Sequence, residues 1–221
     1  GTTYRKIIPA NQPKVVVILP GDTNDQSWNT GNYEGILANQ NKDKKIDLEY
    51  QSNVEEKDFD AVIRRYAEDN YNLIILAGSQ FEEVVSSVSG DYPKVDFCIL
   101  NGRSASGKNT FSVYPKEEEA SHLAGIIGGN LTKTGILGII AGYPNEAMET
   151  LLDQYEKDVR QLAADRKLPN ATVLRAYANS WEDEEPGKEI ANQMIGKGAD
   201  VLFIYANKVG NGCIEAAKEN G

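Results

Sequence analysis

The chain has 221 residues, 40% hydrophobic and 25% charged, the balance of a soluble globular protein with one large domain or two lobes of about 100 residues each. No apolar stretch approaches the roughly 20 residues of a membrane-spanning helix. With 33 acidic against 23 basic residues, the net charge of -10 argues against a nucleic-acid backbone or an anionic membrane surface as the main partner.

The first 13 residues, GTTYRKIIPANQP, read as a linker left after a removed export signal or lipid anchor. Apolar runs and amphipathic segments then alternate. Strands are predicted at 14–19, 46–51, 73–77 and 97–100, with helices at 29–39, 57–69 and 81–88 between them. After a short run at 110–114 and a helix at 116–131, the pattern restarts. It gives strands at 136–140, 173–177 and 201–205 and helices at 146–165, 186–195 and 212–220. This alternation predicts an α/β fold: two doubly wound parallel-sheet lobes, 14–115 and 116–221, with the second lobe incomplete. In such sheets ligands bind at the carboxyl ends of the strands.

Both tryptophans fall in loops of that kind. Trp28 follows Ser27, the expected helix N-cap, and Trp181 follows the strand at 173–177, so the two are read as occupying matching loops of the two lobes. Closure would place one indole on each face of a flat ligand, and such stacking contributes roughly 1 to 3 kcal/mol per base. Asp25 and Asn29 would address the edge of the ring. Ser79 and Asn101 lie just past two further strands, and Gly210 with Gly212 would let main chain approach the ligand. The competing reading of each residue is local: an indole covering its own lobe, or a carboxylate favouring a helix N-terminus.

Nothing in the sequence forms a catalytic constellation. The single histidine, His122, sits inside a predicted helix and reads as structural, while Cys98 and Cys213 read as small buried hydrophobes. No metal-ligand spacing, phosphate loop or nucleophile elbow is present, so no enzyme, cofactor or metal is expected.

The segments GDTNDQSWNTGNYEGI, LIILAGSQFEEVV, HLAGIIGGNLTKTGILGIIAG and the long run from YANSWEDEEPGK to the end resemble, in order and spacing, the basic membrane protein family. That family includes purine nucleoside receptor lipoproteins and is similar to a competence-gene activator of spore formers. The resemblance implies a periplasmic-binding-protein-like fold. It also implies an exported, lipid-anchored receptor that captures purine nucleosides for an ABC permease. Family positions for a ligand-binding Asp-x-Ser-Phe-Asn motif fall on Asp25, Ser27, Trp28 and Asn29, with Trp28 in place of phenylalanine. Trp181 matches the second stacking aromatic, and Gly210 the loop that approaches the sugar. Pro20 and Asn101 stand where many members carry acidic residues, which changes the ring nitrogens that can be recognised. The family's ribose-binding Asp and Lys would fall beyond Gly221. The alternative function is a ligand-sensing regulatory module of the same fold that signals to a protein partner.

Overall fold

The structure, a computed structural model, describes residues 12–42, 45–168 and 170–221. The expected linker 1–13 lies outside these residues except at its end. The chain divides into two compact units, Gly1–Pro115 and Lys116–Gly221.

In the first unit the order is β1 (Lys14–Ile18), α1 (Trp28–Lys42), β2 (Asp47–Gln51), α2 (Phe59–Glu68), β3 (Leu73–Ala77), α3 (Glu82–Val88), β4 (Asp96–Leu100) and β5 (Thr110–Val113). The strands form one parallel sheet in the order β2-β1-β3-β4-β5. Side chains alternate across each strand, and both faces of this sheet are covered. Val16, Ile18, Ile74 and Leu76 pack with Val62, Ile63 and Val85 of α2 and α3. Val17, Leu19 and Ala77 pack on the other face with Ile36 of α1. Double coverage explains why the central strands read as unbroken apolar runs.

The second unit contains α4 (Glu117–Leu131), β6 (Ile136–Ala141), α5 (Glu146–Asp165), β7 (Thr172–Tyr177), α6 (Glu184–Gly196), β8 (Val201–Tyr205) and α7 (Val209–Glu219). Its parallel sheet has the order β7-β6-β8, the order that the first three strands of the other unit also follow. Leu137, Ile139 and Ala141 face Leu151, Leu152 and Tyr155 of α5. Ile140 faces Ala191 and Met194 of α6 and Cys213 of α7. The helix read at 186–195 starts at Glu184 instead, because Asp183 caps it by accepting the Glu185 amide and Pro186 is tolerated within a first turn. The helix read at 212–220 likewise begins at Val209.

Candidate functional site

The loop from β1 to α1 is built around a buried carboxylate. Asp25 is 5% exposed, and it accepts hydrogen bonds from the main-chain N–H groups of Ser27 (2.9 Å), Asn29 (3.0 Å) and Thr30 (2.9 Å). It also accepts from Asn29 Nδ2 (2.9 Å) and Thr30 Oγ1 (3.0 Å). Gln26, at φ 56°, turns the chain back so that the carboxylate meets these donors. Burial by itself would raise the Asp25 carboxyl, but the bonds from Thr30, Ser27 and Asn29 outweigh it and bring the group down to about 2.

One expectation holds here and one is corrected. Ser27 does hold the cap position, its carbonyl accepting from the Gly31 amide at 2.9 Å, but the Asp25 carboxylate supplies the capping oxygen for the first turn. An anionic acceptor satisfies several orphan amides at once and favours the positive helix end. Asp25 and Asn29 are also committed to the loop itself and do not face outward toward a ring edge. Asn29 is 1% exposed, and its Oδ1 accepts from the Gly21 amide at 3.3 Å.

What this loop presents is Trp28. The indole is half-buried, and its Nε1 donates to the carbonyl of Ala77, the last residue of β3, at 2.8 Å. The ring therefore reaches from the end of β1 to the end of its neighbour. Ser79 opens a short 3-10 turn, Ser79–Phe81, just beyond that carbonyl. On the next strand Asn101 follows β4 in a left-handed conformation, φ 61°, and its amide donates to the Val113 carbonyl at 2.7 Å. The Asn101 Oδ1 is enclosed and has no hydrogen-bond partner among the described residues, an arrangement that costs stability unless a donor is supplied. Trp28, Ser79 and Asn101 thus lie at the carboxyl ends of adjacent strands, as the sequence implied.

In the second unit Trp181 lies flat on the main chain of Gly142: a Cβ at that glycine would stand 2.4 Å from the indole. The Trp181 carbonyl accepts from the amides of Lys208 (3.0 Å) and Val209 (3.4 Å), which ties its loop to the segment carrying Gly210. A Cβ on Gly210 would meet only Ile204 Cγ2, at 3.5 Å, so packing within the unit does not demand glycine there. Gly212 differs. Its Cβ would fall 2.0 Å from the Glu184 carbonyl oxygen, so this glycine serves the close approach of α7 to α6 and not a ligand.

The two tryptophans do not occupy matching loops. Trp28 follows β1, an interior strand flanked by β2 and β3, whereas Trp181 follows the edge strand β7. The counterpart of the Trp28 loop is 142–145, after β6, and it carries Tyr143, a ring that the sequence reading passed over. Counting strands within each half would have found it. Tyr143 is 42% exposed, and its ring stands 5.9 Å from that of Trp181 at 55°.

His122 Nδ1 lies 2.7 Å from Asp158 Oδ2 between α4 and α5, where Gln154 also donates to that carboxylate. Cys98 and Cys213 are free and buried. Among the described residues no group of three or more His, Cys, Asp or Glu could hold a metal ion.

Two doubly wound units of this kind form a fold shared by solute-binding proteins and by transcription regulators. An ABC transporter solute-binding protein from Aeropyrum pernix K1 matches it with a TM-score of 0.82, at 22% identity over 94% of this chain and 58% of that one. Residues 12–221 match the family described as ABC transporter substrate-binding protein PnrA-like, the basic membrane protein family, and the chain belongs to it. Among curated relatives it is similar to the ABC transporter nucleoside-binding protein BmpA of Lactococcus lactis, 27% identical over 92% of this chain and 57% of that protein. It is also similar to the transcriptional activator protein med of Bacillus subtilis, 28% identical over 94% of this chain and 63% of the relative. The chain therefore spans less than two thirds of the length of these relatives.

Proposed function

We propose that the protein captures a purine nucleoside, or a related flat heterocycle, outside the cytoplasmic membrane and delivers it to an ABC permease, held near that membrane by a lipid anchor. Capture needs no covalent chemistry: the two lobes close over the ligand, stacking supplies affinity, and edge hydrogen bonds supply choice. The observation that carries this reading is the pair of tryptophans, each fixed at the carboxyl end of its own sheet by main-chain contacts. The Lactococcus lactis relative, a nucleoside-binding protein, supports the ligand class. Asn101, with its enclosed and unpartnered oxygen, is the proposed edge contact from the first unit, Ser79 lies beside it, and Gly210 admits the ligand's sugar. Asp25, Ser27 and Asn29 act by holding Trp28 in place.

The test is a tryptophan-fluorescence titration with adenosine, guanosine, inosine and cytidine, repeated on Trp28→Ala and Trp181→Ala. Each substitution should weaken purine nucleoside binding by about tenfold or more, the scale of one stacking contact. Unchanged affinity in both variants would remove the stacking model. Similarity to the Bacillus subtilis activator supports a second reading, in which ligand capture signals to a protein partner. Ligand-stimulated uptake by a permease separates the first reading from the second.

A further inference from the structure

We infer that Tyr143 is a ligand-contacting, specificity-setting residue, whose ring forms with Trp181 an aromatic corner that receives the flat part of the ligand. The inference rests on the nucleoside-capture reading and extends it to a position that neither motif nor composition singles out.

Topology places the residue where a ligand is expected. In the order β7-β6-β8 the chain leaves β6 toward one neighbour and returns on the other side. α5, which follows β6, covers one face, and α7, which follows β8, covers the opposite face. Loops that diverge in this way open a crevice at the carboxyl ends of the middle strand and its later neighbour. Tyr143 flanks that crevice from the β6 side, and Gly210 from the β8 side.

The packing of Tyr143 points the same way. The hydrophobic clusters of the unit include Trp181 but not Tyr143, and a tyrosine 42% exposed gives up apolar burial that the core could have used. The backbone beneath the ring is nevertheless fixed. The Gly142 amide donates to the Tyr205 carbonyl at 3.2 Å, and the Gly142 carbonyl accepts from the Asn179 amide at 2.7 Å. Asn145 then caps α5 by accepting the Met148 amide at 2.9 Å. An exposed ring on a pinned loop loses little further freedom when a ligand arrives, the usual advantage of a preorganised contact. Glycine at 142 lets the indole lie against the main chain, and Tyr143 then stands beside it at 55°. This inclination suits one ring to the face of a heterocycle and the other to its edge. The contact is made by the ring of Tyr143, not by its hydroxyl.

The experiment is calorimetric titration of the protein expressed from its complete reading frame with adenosine, guanosine, inosine and uridine. Tyr143→Ala, Tyr143→Leu and Tyr143→Phe are compared with the unaltered protein, and the melting temperature of each is checked. Tyr143→Ala and Tyr143→Leu should each weaken purine nucleosides by about tenfold and narrow their margin over uridine, with Tyr143→Phe within about twofold of the unaltered protein. Purine binding unchanged in Tyr143→Ala but lost in Trp181→Ala would overturn the role of Tyr143 and leave the nucleoside reading intact. Loss in Tyr143→Phe equal to that in Tyr143→Ala would overturn the assignment to the ring. Absence of binding by the unaltered protein would overturn the nucleoside reading, and this inference with it.

Discussion

The loops after β1 and after β6 hold the same place, since the first three strands of each unit follow the same order, yet they fix their aromatic residues by different means. The first is long and closes on a buried ion: Asp25 gathers three main-chain amides, and Trp28 is then anchored by one hydrogen bond to Ala77. The second is short and closes on a missing side chain: Gly142 lets Trp181 lie against it, and Asn145 supplies an ordinary cap. A long polar loop with an enclosed turn needs a concentrated acceptor for its orphan amides. A short loop running straight into its helix needs only contact and one cap.

The comparison breaks most readily at Asp25. Asp25→Ala leaves those enclosed amides unpaired and should cost about 3 kcal/mol in urea unfolding of the intact protein. Because the Asp25 carboxyl is held near 2 in the folded chain, below its ordinary 3.8, the stabilisation is full above pH 4 and is lost as pH falls through about 2. The variant should lack that part of the acid dependence. Gly142→Ala tests the other strategy: a methyl group 2.4 Å from the indole must displace it, at a cost of about 2 kcal/mol and with a change in near-ultraviolet circular dichroism. The smallest effect is expected at Asn145→Ala, about 1 kcal/mol, the value of a single side-chain cap. If Asp25→Ala costs no more than Asn145→Ala, the long loop is not organised by its carboxylate.

Much of this architecture was legible from pattern alone. The strands at 73–77 and 201–205 and the helix at 146–165 were read with the bounds they have, since a strand enclosed on both faces shows as an apolar run and a long helix shows as a periodic stripe. The placement of Trp28 at the strand ends was legible too, because it follows from chain direction. For Asp25 the sequence left two readings open, a ring-edge contact and a carboxylate at a helix N-terminus. Choosing the second requires knowing that Gln26 turns left-handed and folds the carboxylate back over the helix start. The mismatch of the tryptophan loops was hidden for another reason: both look like polar turns before helices, and only strand order shows that one follows an interior strand and the other an edge strand. Gly212 was misread because the contact it permits depends on the distance between two helices, which local sequence does not encode.

The seam at Gly212 has a consequence for how this sequence can drift. Most tight contacts can be repaired: a side chain that grows on one surface is accommodated when its neighbour shrinks. Opposite Gly212 stand the Glu184 carbonyl group and the Lys188 amide nitrogen, atoms that every residue type carries. No second substitution can remove them, so a larger residue at position 212 has no compensating partner anywhere in the chain, and α6 and α7 must change their spacing or keep the glycine.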